Sequence, residues 1–202
     1  MSLNSYNLKL WIYRCLVFTA AGLMLASFIM PWWTAHVFSS TPVIELEDGI
    51  RIYGHGLEYE LAELDNFILS DKTPHYQTVL AWIYISVSVG LVLISAFLKG
   101  KKGKLLLGSV GLIYIAYVMV AVFVVISNRL NELGFVMEGY NYLPGLPAGA
   151  AGINSSLRFG YYLSYIAGGM CVALALFSGI VGKSCLLRKR REKQKEGDLA
   201  PS

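Results

Sequence analysis

Residues 10–33 read LWIYRCLVFTAAGLMLASFIMPWW. Arg14 is the single charge in the run, and it lies near enough to the start for its long side chain to reach back toward water. About 20 apolar residues suffice to cross a hydrocarbon core of about 30 Å, so this stretch predicts a transmembrane helix. Lys9 and Arg14 resemble the basic flank of a secretory signal. The block is too long for a signal core and lacks a small-x-small cleavage site, so an uncleaved signal anchor is expected. It closes on Pro31-Trp32-Trp33. Paired tryptophans at a span end suit the bilayer interface, where one side of the ring is apolar and the other wet. Trp32 and Trp33 are therefore expected to set the depth of the helix.

Three more apolar blocks follow, at 77–98, 105–127 and 159–182. The chain is 55% hydrophobic and 15% charged, against about 45–50% and about 25% in soluble domains. The expected fold is an all-α membrane protein: a four-transmembrane-helix bundle over 1–185, with loops at 34–76 and 128–158 and a basic tail at 186–202. The formal charge of +4 hides two faces of opposite sign. Lys99, Lys101, Lys102, Lys104, Arg188, Lys189, Arg190 and Arg191 sit in the 99–104 turn and the tail, whereas Glu45, Glu47, Asp48, Glu58, Glu60, Glu63, Asp65 and Asp71 crowd the first loop. The positive-inside rule then places both termini in the cytoplasm and both loops outside, in the plasma membrane. Lys101, Lys102, Arg188, Lys189, Arg190 and Arg191 are expected to face the anionic inner leaflet, each worth about 1 kcal/mol near the surface. The bilayer, not nucleic acid, is the partner such charge implies.

Within the first loop, Val43-Ile44-Glu45-Leu46-Glu47 alternates, Asp48-Gly49 follows, and Ile50-Arg51-Ile52-Tyr53 alternates again. Asp-Gly between alternating runs predicts a β-hairpin turning at that dipeptide. Residues 57–69 carry Leu57, Leu61, Leu64 and Ile68 on one helical face. The second loop, with Pro144-Gly145-Leu146-Pro147, reads as turn-rich.

The spans hold little chemistry. Past Arg14 they lack the Asp, Glu, Lys and His that mark proton relays and ion paths, which argues against a pump or secondary transporter. A pore lined by Ser86, Ser88, Ser95 and Tyr114 stays open, with nothing favouring it. All three histidines, His36, His55 and His75, fall in the first loop among carboxylates. They are either solvated or weak candidates for a metal site, and their spacing matches no ligand motif. Cys15, Cys171 and Cys185 lie in or beside spans, so no disulfide framework is expected. Gly182-Lys183-Ser184 lacks the remainder of a P-loop, and no catalytic motif or cofactor is indicated. Asn154-Ser155-Ser156 is a formal glycosylation sequon. Ser164, Gly168, Ala175 and Gly179 form a small-residue stripe on the fourth span. Such stripes let helix backbones approach closely, either within the bundle or along a lateral seam with another subunit.

Pro31-Trp32-Trp33 at the end of the first span, Tyr53-Gly54-His55-Gly56-Leu57 in the loop beyond it, and Arg158-Phe159-Gly160-Tyr161-Tyr162-Leu163 opening a glycine-rich fourth span resemble the claudin-like tetraspan superfamily. The family's Trp after Gly-Leu is replaced by Glu58, and its paired loop cysteines are missing. The resemblance implies four spans, a β-rich outer loop and a non-enzymatic role in contacts between membrane proteins. Tyr53, Gly56 and Leu57 would then belong to the interaction surface. The expected function is a scaffold or cell-surface interaction protein, associating with itself or with other membrane proteins. The alternative is an accessory subunit of a membrane enzyme or transporter complex.

Overall fold

The computed structural model describes residues 2–40, 43–59, 75–98, 100–132, 136–142 and 151–177. Helix α1 spans Ser2–Ile29, followed by strands β1 (Trp33–Ser40), β2 (Val43–Tyr53) and β3 (Gly56–Tyr59). Helix α2 is His75–Ser95. Helix α3 begins as Lys101–Met119, continues without a break as a π-helix over Val120–Ile126, and closes as α-helix over Ser127–Glu132. Strands β4 (Gly139–Tyr142) and β5 (Ala151–Leu157) lead into helix α4, Phe159–Phe177. Four segments are long and apolar enough to cross a membrane: Leu10–Ile29, Tyr76–Ser95, Lys101–Val124 and Phe159–Phe177. The first helix ends short of the expected residue 33. Pro31 cannot continue a helix, and Trp33 already opens a strand.

Each helix buries one stripe. On α1 it is Val17, Ala20, Ala21, Met24, Ser27 and Phe28, the three-and-four spacing of a single helical face. On α3 the buried residues Val110, Tyr114, Val118, Val122, Ile126 and Leu130 recur every fourth position. At 3.6 residues per turn such a stripe would drift by about 40° per step. The wider π-helical turns over Val120–Ile126 offset that drift, so Ile126 and Leu130 stay in one core with Ile50 and Ile153 of the sheet.

Helices α3 and α4 meet closely. An added Cβ on Gly111 would lie 2.8 Å from both the Cys171 Cβ and the Gly168 carbonyl oxygen, and one on Gly168 would lie 2.6 Å from Ile115. A Cβ on Gly108 would meet Ala175 at 3.2 Å. The stripe of Ser164, Gly168 and Ala175 therefore faces the same chain's α3, and this replaces the lateral seam for those residues. Ser164 is fully buried, its hydroxyl donating to the Gly160 carbonyl at 2.8 Å. Gly179 lies outside the described residues, as do Arg188, Lys189, Arg190, Arg191 and the helix expected at 57–69, except for its first three residues, Leu57, Glu58 and Tyr59, which lie in β3.

The five strands form one antiparallel sheet in the order β3-β2-β1-β5-β4. It is larger than the hairpin expected in the first loop, because the second loop contributes β4 and β5. The expected turn at Asp48-Gly49 is also corrected. Ser40 pairs with Val43, so β1 and β2 are already paired well before the dipeptide, and β2 continues through it. Ala35 pairs with Ile50 and Val37 with Leu46, leaving Glu47, Asp48 and Gly49 opposite His36. The dipeptide lies instead in a bulge of β2, an irregularity that interrupts the ladder without ending the strand. The β2–β3 turn is Gly54-His55.

Gly111→Ala should lower the thermal midpoint measured in detergent by tryptophan fluorescence, at an overpacking cost of about 1–3 kcal/mol. Gly169→Ala, whose new methyl meets nothing within 4 Å, should leave the midpoint unchanged or slightly raised.

Candidate functional site: the junction of sheet and bundle

Of the residues expected to act as a site, Trp32, Trp33, Tyr53 and His55 lie where the sheet meets the helices. Trp32 and Trp33 are 1% and 2% exposed, so neither is the half-wet interfacial anchor expected from its position. Each indole N–H is satisfied inside the chain: Trp32 Nε1 donates to the Ser27 carbonyl at 2.7 Å, and Trp33 Nε1 to the Met137 carbonyl at 2.8 Å. A buried indole needs such a partner, and once it has one the ring serves as core. Trp32 also donates its backbone N–H to Ile52 (2.7 Å) and accepts at its carbonyl from the Arg158 N–H (2.9 Å).

Beneath it lies a hydroxyl network. Ser27 Oγ donates to the Met24 carbonyl at 2.9 Å and shares a 2.8 Å hydrogen bond with the Tyr114 hydroxyl, which also reaches the Met24 carbonyl at 3.3 Å. Tyr117 Oη donates to the Gly54 carbonyl at 2.6 Å, which ties the β2–β3 turn to α3. The Tyr117 ring packs against Tyr84 of α2 at 4.6 Å and against Trp32 at 6.0 Å. The turn enters so far because residue 54 has no side chain. A Cβ there would lie 2.5 Å from Phe28 and 2.9 Å from Trp32. Ser95 donates to the Val92 carbonyl and Tyr114 is bound as above, so these two of the four pore candidates are engaged in helix packing. Ser88 is buried on α2.

His55 follows Gly54 and stacks on Tyr53 (5.1 Å), with Trp82 at 5.2 Å and Phe28 at 5.6 Å. Its Nδ1 is buried without a hydrogen-bond partner among the described residues. The three histidines are spread apart in the fold: His36 lies mid-strand in β1 opposite Asn154, His55 in the turn, and His75 at the first position of α2. Among the described residues no group of three or more His, Cys, Asp or Glu is placed to hold a metal. Gly56 opens β3 with φ of 152°, and Leu57 pairs with Ile52 across the β2–β3 ladder.

On the other side of the sheet, β4 presents residues that the sequence did not single out. Tyr140 and Tyr142 are 65% and 50% exposed, on the same face of a strand. Phe38 of β1 meets them edge-on at 6.4 and 6.3 Å. Buried Asn141, between them, accepts from the Val136 N–H (2.6 Å) and donates to Val136 O (3.1 Å) and Ser155 Oγ (3.2 Å). Those bonds hold β4 and its entry turn in place. A Tyr-x-Tyr alternation is too short to announce a strand by itself, and the polar Asn that anchors it reads as loop. Asn154 of the sequon lies in β5, between β1 and β4, not in the exposed loop a glycosylation site needs.

The chain matches no protein-family model and no curated protein.

Tyr117→Phe should lower stability by about 1–3 kcal/mol, because the buried Gly54 carbonyl loses its donor. Gly54→Ala should cost more, since the turn must withdraw from Phe28 and Trp32. Thermal unfolding of both variants in the same detergent checks the order.

Proposed function

We propose that this protein is a non-enzymatic tetraspan of the plasma membrane that binds another membrane protein, a second copy of itself or a different subunit, through its sheet. The observation that supports this is the aromatic face of β4. Among the described residues β4 is an edge strand, and it carries Tyr140 and Tyr142 outward beyond the spans. Tyrosines are favoured at protein interfaces because they bring large contact area with a polar tip at little entropic cost. Phe38 and Asn141 hold these two in place beforehand, which lowers the cost of association. The strand is only four residues long, so recognition would rest on side chains and not on adding a strand to the edge.

The charge asymmetry supports an outward-facing sheet and cytoplasmic termini. The resemblance to claudin-like tetraspans, carried by Pro31-Trp32-Trp33 leading into a β-rich loop, favours the same class of function. The loop cysteines of that family are replaced in this reading by the hydrogen-bonded Trp32–Arg158 junction. An accessory-subunit role is the form the proposal takes if the partner is a different chain.

Gentle extraction from the native membrane followed by native mass spectrometry tests this. Species at multiples of 22.3 kDa indicate self-association, and other masses identify a partner complex. Tyr140→Ser with Tyr142→Ser should weaken either assembly by about ten-fold or more while leaving the thermal midpoint of the chain intact. Unchanged assembly in that double variant would remove β4 as the contact surface.

A further inference from the structure

At the opposite end of the bundle from the sheet, Arg14 poses an electrostatic problem that the described chain does not solve. It is the fifth residue of the span Leu10–Ile29, about 6 Å below the start of that span at 1.5 Å per residue. Side chains on a helix lean toward its N-terminus, so the guanidinium reaches back to the boundary of the bilayer. There its Cζ lies 5.3 Å from the centre of the Phe97 ring, in the turn that follows α2. That contact fixes the depth of the charge at the level where α2 ends. Among the described residues the guanidinium has no carboxylate partner, and its buried Nε has no hydrogen-bond acceptor. Water can reach a guanidinium at this boundary, but the anionic headgroups of lipids lie at the same level and attract it.

The surroundings indicate what supplies one. Phe97 meets Phe18 of α1 edge-on at 6.3 Å. Both rings are on the outside of the bundle, 61% and 46% exposed, with Leu98 beside them at 44%. The arrangement is a cation held at the bilayer boundary above an exposed aromatic pair that spans α1 and the end of α2. This is the complement of one molecule with an anionic head and an apolar tail. Guanidinium suits the head, because its planar set of donors matches phosphate oxygens and is weakly hydrated.

We infer that Arg14, Phe18 and Phe97 form a site for the phosphate of one anionic phospholipid, with an acyl chain lying along the two phenylalanine rings between α1 and α2. The site is independent of the sheet and of any partner it binds. It differs from the diffuse attraction exerted by Lys101 and Lys102, which are exposed at the start of α3 and act through charge alone.

Native mass spectrometry of the delipidated full-length protein, titrated with phosphatidylglycerol, phosphatidylcholine or inorganic phosphate, tests the site. Wild type should retain one phosphatidylglycerol per chain, with phosphatidylcholine far weaker and inorganic phosphate not competing. Arg14→Gln should weaken that retention by about ten-fold, the loss expected for one charge-assisted contact. Arg14→Lys should recover part of it, and Phe97→Ala should weaken the lipid without abolishing it. Lys101→Gln with Lys102→Gln should retain the lipid. If Arg14→Gln fails to fold, Arg14→Lys and Phe97→Ala still decide the matter: retention equal to wild type in both overturns the site. It is equally overturned if the lysine pair, and not Arg14, controls retention, or if inorganic phosphate displaces the lipid.

Discussion

The fold depends on how the chain leaves α1 at Trp32. Its backbone N–H goes to β2, its carbonyl receives the N–H of Arg158 at the β5–α4 joint, and its indole N–H returns to α1. The ring lies against Tyr117 of α3. One residue thus connects the first helix, both loops and the third helix. Inside or beside a bilayer, an unpaired backbone group costs several kcal/mol. A chain that exits a helix through proline must find new partners at once, and Trp32 finds them in β2 and at the β5–α4 joint.

That junction explains why sheet and bundle act as one body. The β2–β3 turn sits among Phe28, Trp32 and Tyr117, secured by the Tyr117–Gly54 bond. Arg158 adds a second tie, its Nε donating to Thr34 Oγ1 at 2.6 Å. Extended α3 continues past the spans and buries Ile126 and Leu130 in the core shared with the sheet. A surface carried on such a support is pre-ordered, which is what the proposed contact through Tyr140 and Tyr142 would require. The two ends of the molecule differ in character: the sheet end carries exposed aromatic side chains, and the other end, with Arg14 and the first lysines of α3, carries positive charge.

Several residues were legible in kind but not in role. Trp32 and Trp33 stand where interfacial tryptophans stand, and hydropathy carries no sign that the second loop would fold over them. Asp48-Gly49 announced a break in regular pairing, but a bulge and a turn both make such a break, and the pairing with the long strand β1 decided between them. The small-residue stripe of α4 correctly marks a close helix contact. Its partner, Gly108 and Gly111 on α3, is spaced three apart and sits in a helix with no obvious stripe. Tyr140 and Tyr142 carried no signal, because four residues between masses of glycine and proline do not declare a strand.

By itself the sequence determined the number and approximate position of the four spans, the opposition of a basic end to an acidic loop, and the presence of strands in that loop. These follow from local quantities: runs of apolar residues, charge counts and alternation. Only the tertiary structure decided that both loops share one sheet, that the tryptophans are core, that the α4 stripe faces α3, and that Arg14 lies over the Phe97 ring with no carboxylate beside it among the described residues. Each of these is a choice of neighbour. It is set by which buried donors and acceptors can be satisfied together, and no local pattern in a single chain records it.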